Sequence, residues 1–250
     1  MIEARNIWKR FGELQVLEDV SVKFDQGKTN LIIGQSGSGK TVFLKCLIGL
    51  FDPDEGEVIY DDIVFNKMSF SEKKLVRQNI GMMFQGGALF DSATVEENVV
   101  YPMDMFTNLT KEEKRERANF YLTRVNIVNS NHLYPSEISG GMQKRVALAR
   151  AIALNPDYLF CDEPNSGLDP KTAIVIDNLI KEITEEFKTT TIINTHDMNS
   201  VMEIGEKVIF IYKGRKFWEG SNKEILRTDN QELNDFVFAN NLAKQLKKYY

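Results

Sequence analysis

An α/β protein with a parallel sheet and a helical subdomain in its middle is expected from three observations. Leu31-Ile32-Ile33 is a wholly apolar run of central-strand character, the character of the chain changes between about 90 and 137 with charged helix formers through Arg124, and from 140 onward helix and strand patterns alternate. The composition agrees with a folded chain. Its 250 residues hold 31 Lys plus Arg against 36 Asp plus Glu, 42% apolar residues and two cysteines, which is ordinary for a globular protein and foreign to a disordered one. At roughly 150 residues per domain this is one large domain or a domain with a sizeable insertion, able to bury a core without metal or disulfide staples.

The elements follow in order. Residues 1 to 33 alternate apolar and polar side chains in short runs broken by Gly12 and Gly27, the pattern of a few strands. A helical run is expected over Val42 to Leu50. Thr110-Lys111-Glu112-Glu113 resembles a capped helix start, continued by charged helix formers through Arg124, so the stretch from about 90 to 137 reads as an α-helical insertion. Ser139 is placed as the N-cap of a helix over Met142 to Leu154 that Asn155-Pro156 stops. Strand Tyr158 to Cys161, helix Lys171 to Phe187 and strand Thr189 to Asn194 complete a parallel-sheet signature. In the tail from Gln231 to Tyr250, Leu233, Phe236, Val237, Leu242 and Leu246 recur at near-helical spacing with Lys244, Lys247 and Lys248 toward its end, which predicts an amphipathic helix. No internal repeat, low-complexity tract or linker divides the chain.

Several function classes are disfavoured at this level. A formal net charge of -5 argues against broad electrostatic binding to nucleic acid. Cys46 and Cys161 lie far apart inside apolar stretches, outside any CxxC or Cys/His cluster, and read as buried reduced thiols. Met1 to Arg5 shows no charged-then-apolar signal pattern, and apolar runs such as Val208 to Tyr212 are far below the roughly 18 residues that span a bilayer. If the protein serves a membrane, the expectation is that it does so from the cytosolic side.

Gly34-Gln35-Ser36-Gly37-Ser38-Gly39-Lys40-Thr41 fits G-x-x-x-x-G-K-[ST] in full, between an apolar strand and a helical run. Its glycines let successive N–H groups point into one cavity, and the following helix adds its positive dipole end there, so the cavity favours phosphate. Lys40 is placed on the β- and γ-phosphates, and the Thr41 hydroxyl is a hard oxygen suited to Mg²⁺. About 120 residues later, Tyr158-Leu159-Phe160-Cys161-Asp162-Glu163 sets two carboxylates at the tip of an apolar strand, where open α/β sheets bind ligands. Asp162 suits the Mg²⁺ shell, and Glu163 suits a base that polarises water for attack on the γ-phosphate. Ser139-Gly140-Gly141 precedes the Met142 to Leu154 helix and leaves a second phosphate-seeking end.

Together with Ile138, Met142, Gln85, Ser166-Gly167-Leu168-Asp169 and His196, these segments resemble the full motif set of an ABC-transporter ATPase over nearly the whole chain. The resemblance implies a P-loop NTPase core with a mainly parallel sheet, an N-terminal antiparallel β subdomain and an inserted α-helical subdomain. The core would cover 1–89 and 155–228, the helical subdomain about 90–154, and a C-terminal helical extension 229–250. It also implies a homodimer in which each ATP lies between the P-loop of one protomer and the signature Ser139, Gly140 and Gly141 of the other. Phe11 aligns with the aromatic that stacks on adenine and Val16 with the same nucleotide-binding set. Gln85 aligns with the Mg²⁺ and coupling glutamine, Asp169 with the loop that crosses the dimer, and His196 with the γ-phosphate contact. The implied catalytic set is therefore Glu163, His196 and Lys40, with Thr41, Gln85 and Asp162 around Mg²⁺.

Ile138 and Met142 depart from the commoner Leu and Gln of the signature, and Phe11 from the commoner Tyr. The Met form, with Phe84-Gln85-Gly86-Gly87-Ala88-Leu89-Phe90-Asp91-Ser92 and Val95-Glu96-Glu97-Asn98-Val99, is similar to the ATPase subunit of bacterial Mla-type phospholipid transporters, which work with MCE-domain proteins. That narrower resemblance implies lipid transport, a permease partner docking on Gln85 to Met105, and a place on the cytoplasmic face of the bacterial inner membrane. The tail then has three readings, packing on its own domain, clasping a dimer, or contact of its lysines with a membrane surface. A GTPase switch is disfavoured because Asn66-Lys67-Met68-Ser69 lacks the aspartate of N-K-x-D, and the spacing leaves no room for the long insert of non-transport ABC ATPases acting on DNA.

Overall fold

The computed structural model describes residues 1–238, so the tail beyond Phe238, with Leu242, Lys244, Leu246, Lys247 and Lys248, lies outside the described residues. The chain runs β1 (Ile2–Phe11), β2 (Leu14–Phe24), β3 (Thr29–Ile33), α1 (Lys40–Leu47), β4 (Glu55–Tyr60), β5 (Ile63–Val64), α2 (Phe70–Gln78) and β6 (Ile80–Met83). Next come α3 (Val95–Phe106), α4 (Lys111–Arg124), α5 (Gly140–Ile152), β7 (Tyr158–Asp162), α6 (Pro170–Phe187), β8 (Thr190–Asn194) and α7 (Met198–Ile204). Last are β9 (Lys207–Tyr212), β10 (Arg215–Gly220), α8 (Asn222–Ile225) and α9 (Gln231–Val237). They form two compact units, one of Met1–Lys73 with the chain from Thr190, the other of Lys74–Thr189.

The first unit carries two sheets. Strands β2, β1, β4 and β5 pair antiparallel in that order. On β2 the inward set Leu17, Val20, Val22 and Phe24 skips one step at Asp19, whose φ of 51° forms a bulge that returns the strand to alternation. In the second sheet β9, β3 and β8 are parallel, with β10 antiparallel on β9. Every residue of β3 and β8 is buried, which is why both read as continuous rather than alternating runs. Helix α1 buries Phe43, Leu44, Cys46 and Leu47, with Phe43 at 6.4 Å from the Phe24 ring, and each such side chain contributes about 1.5–3 kcal/mol. The helix stops at Leu47 rather than Leu50 because the chain turns back there: the N–H groups of Gly49 and Leu50 donate to the Cys46 and Lys45 carbonyls (3.1 and 2.9 Å). Helix α9 begins at Gln231 as expected, buries Leu233 and stacks Phe236 on Phe210 (5.5 Å), so its described part packs on its own unit.

The second unit pairs β6 with β7 in parallel and packs α3, α4 and α5 against one another. Both α3 and α4 open with a capping box. Thr94 and Thr110 accept from the N–H of Glu97 and Glu113, whose carboxylates accept in return from the Thr94 and Thr110 N–H groups (2.7 Å each). Fully buried Asn98 on α3 accepts from Phe90 N–H (2.8 Å) and donates to the carbonyls of Phe90, Ala93 and Thr94, which pins the segment before the helix. Helix α6 starts one residue earlier than expected because Pro170 suits the first helical position. Among the described residues no helix is long and apolar enough to cross a membrane. Replacing Thr110 by Ala removes half of a capping box and is expected to cost about 1 kcal/mol, read as a lower urea midpoint with an unchanged slope.

Candidate nucleotide and catalytic site

In the first unit the loop from Gly34 to Gly39 joins the end of β3 to α1. Its shape forbids side chains at two points. A Cβ on Gly34 would meet the Ile211 carbonyl oxygen at 2.2 Å, and Gly39, at φ 102°, faces the Val16 carbonyl and the Leu17 side chain at 2.9 Å. Gly39 is also the N-cap of α1, so the helix start has no capping side chain and its N–H groups open toward the loop. Lys40, 6% exposed, folds its ammonium over the same loop and donates to the carbonyls of Gly34 (2.8 Å) and Gln35 (3.0 Å). Ser38 Oγ is buried with no hydrogen-bond partner among the described residues, an orphaned polar atom whose desolvation an incoming ligand would relieve.

Strand β8 lies beside β3, with Asn194 paired to Ile32, so the ends of both strands meet at this loop. Asn194 Nδ2 donates to Thr41 Oγ1 (3.2 Å) and orients the hydroxyl. His196 follows two residues on, exposed, before Asp197 caps α7. Phe11 ends β1 with 43% of its surface exposed, its ring edge-on to Phe51 (5.3 Å) and with Lys9 Nζ 5.5 Å from its centroid. The Val16 carbonyl faces Gly39 of the loop and Gly214 of the turn between β9 and β10. Phe11, Val16, Gly34, Gln35, Ser36, Gly37, Ser38, Gly39, Lys40, Thr41 and His196 thus all belong to this unit.

The remaining candidates belong to the second unit. Asp162 is the last residue of β7 and only 5% exposed, and Glu163 follows in a left-handed conformation at φ 50°, half-buried. Such a backbone costs about 1–3 kcal/mol for a non-glycine residue and persists where its surroundings hold it. They do so here. Ser166 N–H donates to the Glu163 carbonyl (3.1 Å), Leu168 N–H to that of Asn165 (3.2 Å), and buried Asn165 donates to Asp177 of α6 (2.8 Å). Buried Cys161, one residue before Asp162, has its thiol pushed well above the ordinary range by burial, and buried Cys46 on α1 is pushed up to about 12 for the same reason, so both free thiols are inert.

Gln85 sits exposed just beyond β6, and its carbonyl accepts from Lys144 of α5. Arg150, also on α5, donates to the carbonyls of Gly87 (2.7 Å) and Ala88 (2.8 Å) and lies over the Phe90 ring. Beside this turn a cavity of about 270 Å³ is lined by Phe84, Phe90, Tyr101, Pro102 and Arg150 among others. Ser139 Oγ accepts from Met142 N–H (3.2 Å), and Gln143 Nε2 donates back to the carbonyls of Pro135 and Ile138 (2.8 and 3.4 Å), fixing the approach to α5. The helix starts at Gly140, not Met142, which leaves Gly140 exposed and Gly141 half-buried within its first turn. Asp169 caps α6, accepting from the N–H groups of Lys171 and Thr172 and from the Thr172 hydroxyl (2.5 Å).

Residues 17–166 match the family described as ABC transporter. The chain belongs to that family. It is an ATP-binding cassette of the ABC transporter ATPases, with their α/β cassette fold. Over 238 residues it is 37% identical to the glutamine transport ATP-binding protein GlnQ of Escherichia coli (strain K12), spanning 95% of this chain and 98% of that one. Over 237 residues it is 35% identical to the intermembrane phospholipid transport system ATP-binding protein MlaF of Haemophilus influenzae, spanning 95% and 90%. Among solved structures, the dimeric post-hydrolysis state of the ATP-binding cassette MJ0796 bound to ADP and Pi aligns with a TM-score of 0.82 at 33% identity, covering 89% of this chain and 99% of that chain.

Lys144, Arg150, Gln143 and the Asn165–Asp177 pair escape the sequence reading, since polar residues inside a helical run look like a solvated face. The one available signal was apolar residues a helical turn away, Ala147 and Leu148 for Lys144 and Ala173 and Ile180 for Asp177. One titration follows from the α6 cap. The Thr172 hydroxyl, then the Thr172 and Lys171 N–H groups, hold the Asp169 carboxyl below the usual carboxylate range. Its contribution to stability is present above the unfolded value near 3.9 and is lost as pH falls through the lower folded value. Thr172→Val should raise the Asp169 pKa toward the ordinary value, measured by carboxyl carbon NMR titration.

Proposed function

We propose that this cassette works as a homodimer on a membrane permease, hydrolysing ATP to drive transport of a phospholipid between bacterial membranes. The observation that carries the nucleotide part is the Gly34–Thr41 loop: a buried ammonium drawn over a helix start that no side chain caps, with Ser38 Oγ buried and unpartnered among the described residues beside it. Such an array of donors is complementary to phosphate and costs free energy until one binds. Gly34 through Thr41 would cradle the triphosphate, Lys40 would neutralise its β- and γ-oxygens, and Phe11 and Val16 would pack on the base. Ser139, Gly140 and Gly141 would close on the nucleotide of the partner protomer, with Asp169 crossing the dimer.

Thr41, Gln85 and Asp162 are all hard oxygen donors and fit Mg²⁺, which when bound neutralises phosphate charge. Asn194 holds the Thr41 hydroxyl in place for that role. Glu163 would accept the proton of the attacking water, positioned by its constrained turn, and His196 would contact the γ-phosphate. In this reading 1–89 and 155–228 are the nucleotide-binding core, about 90–154 the helical subdomain, and 229–250 the extension. The apolar cavity by Gln85 supports the Gln85 to Met105 stretch as the permease contact.

The lipid cargo and an MCE-domain partner on the cytoplasmic face of the inner membrane rest on the Met142 signature and the similarity to the phospholipid cassette of Haemophilus influenzae. A second reading, a different cargo, is favoured by the comparable identity to the glutamine cassette of Escherichia coli. Glu163→Gln is expected to retain ATP, accumulate as a dimer in size-exclusion chromatography and lose turnover by about a hundredfold or more. Turnover near wild type would remove Glu163 as the base. Lys40→Ala should lose ATP binding in an equilibrium titration. Purification from membranes with lipid mass spectrometry decides the cargo: enriched phospholipid with an MCE-domain subunit supports the first reading, and a permease complex without lipid supports the second.

A further inference from the structure

Lys144 has no part in the mechanism above, yet it is one of few charged groups buried in the second unit, 7% exposed on α5 five residues after Ser139. Burial drives its ammonium below the ordinary lysine range, while the carboxylates of Glu163 and Asp162 act to raise it. A buried cation of this kind is retained at a cost unless each of its protons meets an acceptor. Two acceptors are in place. Nζ donates to the Gln85 carbonyl and lies 3.3 Å from Ser166 Oγ, and Ser166 Oγ in turn reaches the same Gln85 carbonyl at 3.4 Å. Ser166 closes the turn that begins at Glu163, through its N–H on the Glu163 carbonyl.

We infer that Lys144 is a positioning residue that ties the Gln85 turn to the Glu163 turn, so that α5, and with it the Ser139 helix end, moves both together. Three segments remote in sequence then respond as one body: a displacement at Gln85 shifts the turn that sets Glu163. The Asn165–Asp177 bond anchors the far side of that turn to α6, and Lys144 links its near side to α5 through Ser166. An uncharged side chain would fill the space without making the link, whereas arginine retains charge and donors. This inference rests on Glu163 acting as the base.

The experiment compares Lys144→Met, Lys144→Arg, Ser166→Ala and the double Lys144→Met/Ser166→Ala in the purified full-length cassette. Readouts are steady-state kcat and KM for ATP, binding of a fluorescent ADP analogue, and the thermal midpoint. Lys144→Met should lower kcat about tenfold or more, with KM and ADP affinity within about twofold, because the turn is misplaced while the phosphate loop is intact. Lys144→Arg should recover kcat to within about threefold. The double variant should lose no more than Lys144→Met alone, since both remove one link. A wild-type kcat for Lys144→Met, a parallel collapse of ADP affinity, failure of arginine to rescue, or additive losses would each overturn the inference. Should Lys144→Met not fold, Ser166→Ala carries the test by itself, with an expected loss of about threefold in kcat and an unchanged midpoint. Glu163→Gln run in parallel separates the two failures: an inactive Glu163→Gln beside a fully active Lys144→Met discards the link and keeps the base.

Discussion

Backbone pressed against backbone at the end of β3 is the constraint on which the Gly34–Gly39 loop depends. With Gly34 seated on the Ile211 carbonyl of β9 and Gly39 on Val16 of β2, the loop is gripped by both sheets of the first unit, and no side chain fits between. That grip sets the direction in which α1 leaves, and therefore where its bare N–H groups and the Lys40 ammonium converge. An anion site made from main chain is rigid in a way that one made from long side chains is not, because little rotamer entropy remains to be lost on binding.

The second unit reaches comparable rigidity by a different route. The Glu163 turn is strained rather than side-chain-free, and polar side chains of neighbouring helices hold it: Asp177 through Asn165 on one side, Lys144 through Ser166 on the other. The Gln85 turn is held likewise, by Lys144 and Arg150 donating to the carbonyls of Gln85, Gly87 and Ala88. Helix α5 therefore does double duty, exposing the Ser139 end at its start and gripping these turns along its buried face. Similar identity to cassettes named for glutamine and for phospholipid transport fits a cassette fold common to both.

Much of this is legible in the amino-acid sequence. The G-x-x-x-x-G-K-[ST] run, the apolar strand ending in Asp162-Glu163, and the caps at Thr110 and Ser139 declare themselves through residue type at short spacing. The misjudged boundaries are equally instructive. A helix expected to reach Leu50 ends at Leu47 because two N–H groups turn back on Lys45 and Cys46, and α5 absorbs the two glycines that periodicity left outside it. Hydrophobic period locates the body of a helix, while cap hydrogen bonds decide its last turn.

Amino-acid order alone settled the local matters: which stretch turns through glycines into a helix start, which strands are buried on both faces, and which carboxylates stand at a strand tip. Each depends on side chains only a few residues apart. Folding in three dimensions decided which polar group answers to which across the unit, pairing Lys144 with Gln85, Arg150 with Gly87 and Asn165 with Asp177 at separations of 59, 63 and 12 residues. No periodicity encodes those pairs, because a buried hydrogen bond is chosen by the desolvation cost of every alternative, and that cost exists only once the surrounding core has closed.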